Sequence, residues 1–225
     1  MTTTSVILGG ARTPIGRFGS SLASLAAVDL GAVAIREALA RSGVEPASVD
    51  YVVMGQVLQA GTGQITARQA AIAAGLPREV PAITINKVCL SGLNAVAMAD
   101  QMIRAGEADI VVAGGMESMS QAPYLLPKAR EGLRIGDGQV VDSLIHDGLW
   151  STFTKQHMGE SSDAINRELG ITRAEQDAWA ARSHRRAAAA WESGALAEEV
   201  VAVEVPGKGG PTLVDRDAGV RPDTT

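Results

Sequence analysis

The sequence has 225 residues, of which 46% are hydrophobic and 20% charged, and its formal net charge is −5. This composition is typical of a globular protein with an apolar core and excludes a disordered chain. The acidic balance argues against a nucleic-acid-binding surface. The single cysteine, Cys89, excludes an internal disulfide, and neither a signal peptide nor a membrane span is recognisable, so we expect a cytoplasmic protein.

In the first 118 residues, short β-branched segments alternate with Ala-rich segments of helical periodicity. The predicted strands are residues 5–8, 51–54, 82–85 and 109–113. The predicted helices are roughly residues 28–42, 64–74 and 88–105, each followed by a glycine that ends it. This alternation of apolar strands and helices predicts an α/β domain whose mainly parallel sheet is covered by helices on both faces.

The composition changes near residue 118, and five of the seven aromatic residues follow that point. Residues 119–157 have weak periodicity, which indicates a functional or interface loop. The elements predicted after this loop are two helices, at roughly residues 159–169 and 173–191, and a strand at residues 200–205. Thr172 and Glu175 have the spacing of a capping box for the second helix. We therefore divide the chain into a core domain, residues 1–118, and a second domain, residues 119–225.

Cys89 follows the predicted strand 82–85 and opens the next predicted helix. In the first turn of a helix, a thiol is near the positive end of the helix dipole and near unbonded backbone N–H groups. Both favour the nucleophilic thiolate, and the same N–H groups can donate to the oxyanion that forms when a thioester carbonyl is attacked. Ser91 and Gly92 permit a ligand or another backbone to approach closely. A lone cysteine is otherwise an inert core residue, so position alone leaves both interpretations open.

Other features favour structural roles. Residues 114–118, GGMES, lack a lysine or hydroxyl at the spacing of a phosphate-binding loop, so we interpret them as a tight turn in which internal hydrogen bonds satisfy Glu117. The three histidines have no metal-ligand spacing, and we expect no metal. The arginines around His184 are interpreted as a solvated helix face, and the loop at residues 12–16 as a part of the core without chemistry.

Several long motifs occur in order along the whole sequence. They are ARTPIGRFGSSL, GQVLQAGTGQITARQAAIAAGLP, INKVCLSGLNAVAMA, DIVVAGGMESMS and DGLWSTFTKQHMGESSDAINRELGITRAEQDAWAARSH. This set resembles the thiolase family, in particular its acetyl-CoA acetyltransferases. The resemblance implies a thiolase-like fold of αβαβα layers, of which these residues are the N-terminal half, with a mixed, mainly parallel sheet and an inserted loop domain.

The resemblance also implies an activity, which is acyl transfer on coenzyme A (CoA) thioesters. Two acetyl-CoA molecules would give acetoacetyl-CoA and CoA, or a 3-ketoacyl-CoA would undergo thiolysis, with Cys89 as the acylated nucleophile. Leu149, His157, Met158 and Arg221 fall where the family contacts CoA, although His157 by itself is typical of an ordinary helix start. The CoA thioester is the substrate, and no separate cofactor is implied.

Three further properties follow from the resemblance. Residues 119–148 resemble a loop that joins two dimers into a homotetramer, and the activity implies a role in fatty acid metabolism. Family members are longer, and their second half supplies an activating histidine, oxyanion-hole groups and a second cysteine. The corresponding CxGGG and GHP motifs are not found among these 225 residues. We therefore expect one part of a longer protein, poorly active or inactive by itself.

Two alternatives stay open. The first is a non-catalytic, thiolase-like module that binds CoA or lipid, or a degenerate fragment. The second is a ketoacyl synthase-like condensing enzyme, which also uses a cysteine at a helix start but decarboxylates malonyl thioesters. The HMG sequence at residues 157–159 and the long loop at residues 119–148 argue against the second alternative.

Overall fold

The computed structural model describes residues 4–225. Its α-helices are α1 (Ala27–Ser42), α2 (Thr66–Ala74), α3 (Ser91–Ala105), α4 (Met158–Glu168) and α5 (Arg173–Glu192). Its strands are β1 (Tyr51–Gly55), β2 (Ala82–Ile85), β3 (Val111–Gly115), β4 (Tyr124–Leu125), β5 (Val141–Asp142), β6 (Val203–Val205) and β7 (Thr212–Val214). None of the helices in this described part of the chain has the length and hydropathy needed to cross a lipid bilayer.

The central sheet is parallel and has the strand order β2-β1-β3. Successive residues of a strand face opposite sides of the sheet, and the residues of β1 are buried on both sides. Val52 and Met54 pack in a buried cluster with α1 and α2, while Val53 between them is also fully buried and faces the side on which α3 packs. The prediction of a parallel sheet with helices on both faces is therefore confirmed for these three strands. The short pairs β4-β5 and β6-β7 are antiparallel.

The strand predicted at residues 5–8 is wrong. These residues form no strand, and Val6, Ile7 and Leu8 are 71%, 86% and 57% exposed. A cavity of about 330 Å³ lies between this segment and β3, with α1 and α3 as its other walls. An apolar β-branched sequence forms a strand only when a neighbouring strand pairs with it. Here the gap keeps the segment away from the edge of β3.

Three other predicted boundaries also shift for local reasons. Helix α2 begins at Thr66 because Ile65 has a left-handed conformation with φ of 43°. Helix α3 begins at Ser91 and not near residue 88, because the φ of Val88 is 50°. The strand predicted at residues 200–205 is shortened to β6, since Val200 makes only an isolated bridge to Arg12.

The long loop after β3 is mostly irregular, as predicted. Besides β4 and β5 it contains single 3₁₀ turns and a π-helical turn, Leu144–Leu149. Ser143 anchors this turn: it is 1% exposed, and its hydroxyl donates to the carbonyl of Pro123. In contrast, Ile135 is 99% exposed. Burial of the loop against another subunit stays a prediction.

Arg12 joins the first loop to the end of the described chain. Its guanidinium binds Asp217 through two bonds of 2.8 and 3.0 Å and Glu199 through one of 2.7 Å. Burial raises the pKa of Asp217, but the bonds from Arg12 and from the Ile15 N–H together outweigh it and hold that pKa below 3.8. The interpretation of residues 12–16 as structural agrees with these contacts.

We expect Asp217→Asn to lower the free energy of unfolding by about 1–2 kcal/mol, because Arg12 loses a two-point charged partner. Urea denaturation near pH 7 measures this change. Asp177→Asn is the control, since Asp177 pairs with Arg173 on an exposed helix face where an ion pair has little effect. Equal effects of the two substitutions would show that the Arg12 contact is no more stabilising than a surface pair.

Candidate active site

Cys89 lies in the turn that connects β2 to α3, and its side chain is exposed. Leu90 is the N-terminal capping residue of α3, so Cys89 lies two residues before Ser91, the first helical residue. The sequence had placed Cys89 inside the first turn of the helix. The left-handed conformation of Val88 prevents helical structure from starting that early.

Hydrogen bonds hold this turn from two sides. The Val88 N–H donates to the Asn86 side-chain oxygen at 2.9 Å. The Ser91 hydroxyl accepts from the Lys87 N–H at 2.8 Å and donates to the Val88 carbonyl at 2.6 Å. A β-branched residue with positive φ costs of order 1–3 kcal/mol and persists only where its surroundings fix it. The strained residue is thus the immediate neighbour of Cys89.

Glycines bring the start of α3 against the carboxyl ends of β1 and β3. A Cβ on Gly55 would lie 2.5 Å from the Cβ of Ser91 and 2.7 Å from the nitrogen of Gly92. A Cβ on Gly115 would lie 3.2 Å from the Cα of Gly92. The sheet backbone does approach Ser91 and Gly92 closely, but the residues that must lack a side chain are Gly55 and Gly115, since a Cβ on Gly92 would lie an ordinary 3.5 Å from the nitrogen of Gly115.

Glu117 fixes the loop that follows β1. Its carboxylate accepts from the Val57 N–H at 2.8 Å and from the Leu58 N–H at 3.4 Å, which confirms that internal hydrogen bonds satisfy it. Burial raises its pKa above 4.5, although the backbone N–H bonds oppose the shift. The Asn86 side chain donates to the Val57 carbonyl at 3.4 Å, so the loop held by Glu117 lies next to the turn that carries Cys89.

Leu149, His157 and Met158 lie together at a short hairpin. Trp150 and His157 form an antiparallel bridge, and their rings meet edge to face with centroids 5.0 Å apart. His157 is the capping residue of α4, and its N–H donates to Glu160 at 2.9 Å. His157 and Met158 are exposed, and Leu149 is half-buried at the end of the π-helical turn.

Arg221 lies at a different place, beside α5. Its backbone N–H donates to Nδ1 of His184 at 3.2 Å, and its side chain is exposed. Arg182, Arg185 and Arg186 on the same helix are also exposed, as expected for a solvated face. Within residues 4–225, no hydrogen bond, ion pair or ring contact joins Cys89 to Arg221 or to the hairpin of His157. The described residues also contain no group of three His, Cys, Asp or Glu side chains suited to a metal ion.

The sequence of residues 5–225 matches the family model for the thiolase N-terminal domain. The chain belongs to the thiolase family. Its relatives include a probable acetyl-CoA acetyltransferase of Mycolicibacterium smegmatis, 55% identical over 98% of this chain and 57% of the relative. An acetyl-CoA acetyltransferase of Cupriavidus necator is 52% identical over 98% of this chain and 56% of the relative. A probable acetyl-CoA acetyltransferase of Escherichia coli is 48% identical over the same shares.

This thiolase chain therefore spans less than three-fifths of the length of the relatives it matches. The family match confirms the resemblance seen in the motifs and the α/β fold. It does not test the roles of individual residues, so Cys89, Leu149, His157, Met158 and Arg221 remain predictions. Likewise, the division into domains at residue 118 remains a prediction.

Sequence reasoning missed the residues that shape the turn of Cys89. It did not foresee the left-handed Val88, since valine strongly disfavours that conformation. It noted Ser91 only for its small size, whereas the hydroxyl makes two hydrogen bonds to the turn. The signal that was available is a serine two residues after the cysteine, together with an asparagine three residues before it. Sequence reasoning also did not single out Trp150, whose ring packs against that of His157.

We expect Gly55→Ala to destabilise the protein by about 1–3 kcal/mol, because the new methyl group forces the start of α3 away from β1. Urea denaturation measures this change. Gly10→Ala is the matched control, since a methyl group there meets no atom within 4 Å. Unchanged stability in Gly55→Ala would contradict the tight contact at this position.

We expect the stability difference between wild type and Glu117→Gln to depend on pH. The raised pKa means that the unfolded chain ionises Glu117 before the folded protein does. Wild type should therefore lose stability relative to Glu117→Gln as pH rises above 4.5, until the folded carboxyl is also ionised. Urea titrations from pH 4 to pH 7 measure the difference. A difference that grows in favour of wild type with rising pH would contradict the burial effect.

Proposed function

We propose that this chain carries the nucleophile of an acetyl-CoA acetyltransferase. The Cys89 thiolate attacks the carbonyl carbon of acetyl-CoA, the carbon–sulfur bond to CoA breaks, and S-acetyl-Cys89 and CoA result. A second acetyl-CoA, deprotonated at its α-carbon, then attacks the acetyl group. This step forms acetoacetyl-CoA and releases the Cys89 thiolate. In the reverse direction, CoA cleaves a 3-ketoacyl-CoA by thiolysis.

The observation that carries this proposal is the setting of Cys89 within a thiolase N-terminal domain. A structural cysteine is normally buried, whereas this thiol is exposed. It also lies on a strained turn at the carboxyl edge of a parallel sheet, beside the N-terminus of α3. Strain concentrates at functional sites, and ligands commonly bind at that edge of α/β sheets. Acyl transfer explains all of these features, and a structural thiol explains none.

We propose that CoA contacts Leu149, His157 and Met158, as well as Arg221. The hairpin offers a half-buried leucine, an exposed imidazole and an exposed thioether, which suit the mixed polar and apolar pantetheine arm. The exposed guanidinium of Arg221 suits a phosphate group of the nucleotide. The CoA thioester acts as substrate, and the proposal requires no further cofactor.

We propose that the general base and the oxyanion-hole groups for this chemistry lie in the part of the relatives that this chain does not match. Loss of a general base costs about 10²–10⁴-fold in rate, and loss of an oxyanion donor about 10²–10³-fold. These 225 residues alone are then poorly active or inactive. Assembly as a homotetramer through residues 119–148, a cytoplasmic location and a role in fatty acid metabolism belong to the same proposal for the whole enzyme.

The test is acetylation of Cys89, followed by intact-mass spectrometry and peptide mapping. Incubation with acetyl-CoA should add one acetyl group to the wild-type chain, slowly alone and faster when the C-terminal part of a relative is supplied in trans. Cys89→Ala should give no adduct. Binding of CoA by calorimetry, without any acetylation under either condition, would support the non-catalytic alternative. Acylation from a malonyl thioester but not from acetyl-CoA would favour the ketoacyl synthase alternative.

A further inference from the structure

Helix α3 begins with a polar residue whose side chain is nearly inaccessible to water. Ser91 is 4% exposed, whereas the five residues from Asn86 to Leu90 are all exposed. Its Cβ packs where the absence of a side chain on Gly55 leaves room. Ser91 is therefore fixed by packing against the sheet, whereas residues 86–90 of the turn are not.

The hydrogen bonds of Ser91 go to the turn and not to the helix. A helix-capping hydroxyl accepts from amides in the first helical turn. The Ser91 hydroxyl instead accepts from the Lys87 N–H and donates to the Val88 carbonyl, which both precede the helix. The Lys87 N–H precedes Val88 in the chain, and the Val88 carbonyl belongs to the peptide bond that leads to Cys89. The pair of bonds thus fixes the peptide geometry around the left-handed residue.

We propose that Ser91 is a positioning residue for Cys89: its hydroxyl transmits the fixed geometry of the sheet to the strained Val88 and so sets the direction of the thiol. This inference rests on the proposed nucleophilic role of Cys89. Without the hydroxyl, Val88 relaxes toward a negative φ, and the adjacent Cys89 rotates away from its position in front of α3. The other bonds of the turn remain, namely those from the Val88 N–H to Asn86 and from the Ser91 N–H to the Val88 carbonyl, but neither replaces the hydroxyl as the acceptor for the Lys87 N–H.

The test compares four variants of the whole chain: Ser91→Ala, Val88→Gly, the double variant of both, and Ser42→Ala. Ser42 is the matched control, since its part-buried hydroxyl also donates to a carbonyl, that of Leu39, and accepts from a backbone N–H, that of Val44, but at the end of α1 and outside the candidate site. The probes are acetyl-CoA, iodoacetamide and backbone hydrogen exchange at Lys87. Acetylation requires an oriented thiol, whereas a small alkylating reagent reaches an exposed thiol from many directions.

We expect Ser91→Ala to slow acetylation of Cys89 by about 10- to 100-fold, as for a misplaced reacting group, and to slow alkylation far less. In the double variant, acetylation should recover most of this loss, because glycine adopts positive φ without a steric penalty. Ser42→Ala should acetylate like wild type. Equal acetylation in Ser91→Ala and Ser42→Ala, or no recovery in the double variant, would overturn the inference.

Hydrogen exchange separates a failure of this inference from a failure of the proposed function. The Lys87 amide should exchange faster in Ser91→Ala than in wild type, and its exchange should be unchanged in Ser42→Ala. If wild type shows no acetylation even with the C-terminal part of a relative supplied in trans, but this difference is present, the acyl-transfer proposal fails for these residues, and the control of the turn by Ser91 stands. If the Lys87 amide is equally protected in wild type and Ser91→Ala, the positioning role is wrong regardless of acetylation.

Discussion

The contact on which the candidate site depends is the approach of two backbones without side chains between them. The start of α3 lies directly on the ends of β1 and β3, and this is sterically possible because Gly55 and Gly115 have no Cβ. Because of this close packing, the turn that carries Cys89 lies directly at the carboxyl edge of the sheet. Any side chain of ordinary size at Gly55 would move the helix, and the thiol with it.

The strain at Val88 follows from this contact. The chain has only five residues between the end of β2 and the start of α3 in which to reverse direction over the sheet. One of them takes a left-handed conformation although it is a valine, and buried Ser91 and exposed Asn86 hold it there. Packing against the sheet thus offsets the conformational free energy of the strained Val88, as is usual for strained residues at functional sites.

The two halves of the candidate site differ in how firmly they are held. The Cys89 turn rests on buried elements of the central sheet, and Glu117 secures the loop beside it. The hairpin of Trp150 and His157 rests mainly on its own ring contact, its bridge and the cap of α4.

The sequence by itself determined the family, the alternation of strands and helices, and the identity of the one candidate nucleophile. Those properties follow from local periodicity and from motifs that are continuous in the chain. It also predicted the helix stops, the capping box at Thr172 and the internal bonding of Glu117, since these depend on neighbouring residues or on a single buried charge. Only the tertiary structure decided where α3 begins, that residues 5–8 form no strand, and that Ser91 binds the turn. Each of these depends on an atom from a distant segment: Gly55 beneath Ser91, and a gap where a strand partner for residues 5–8 would lie.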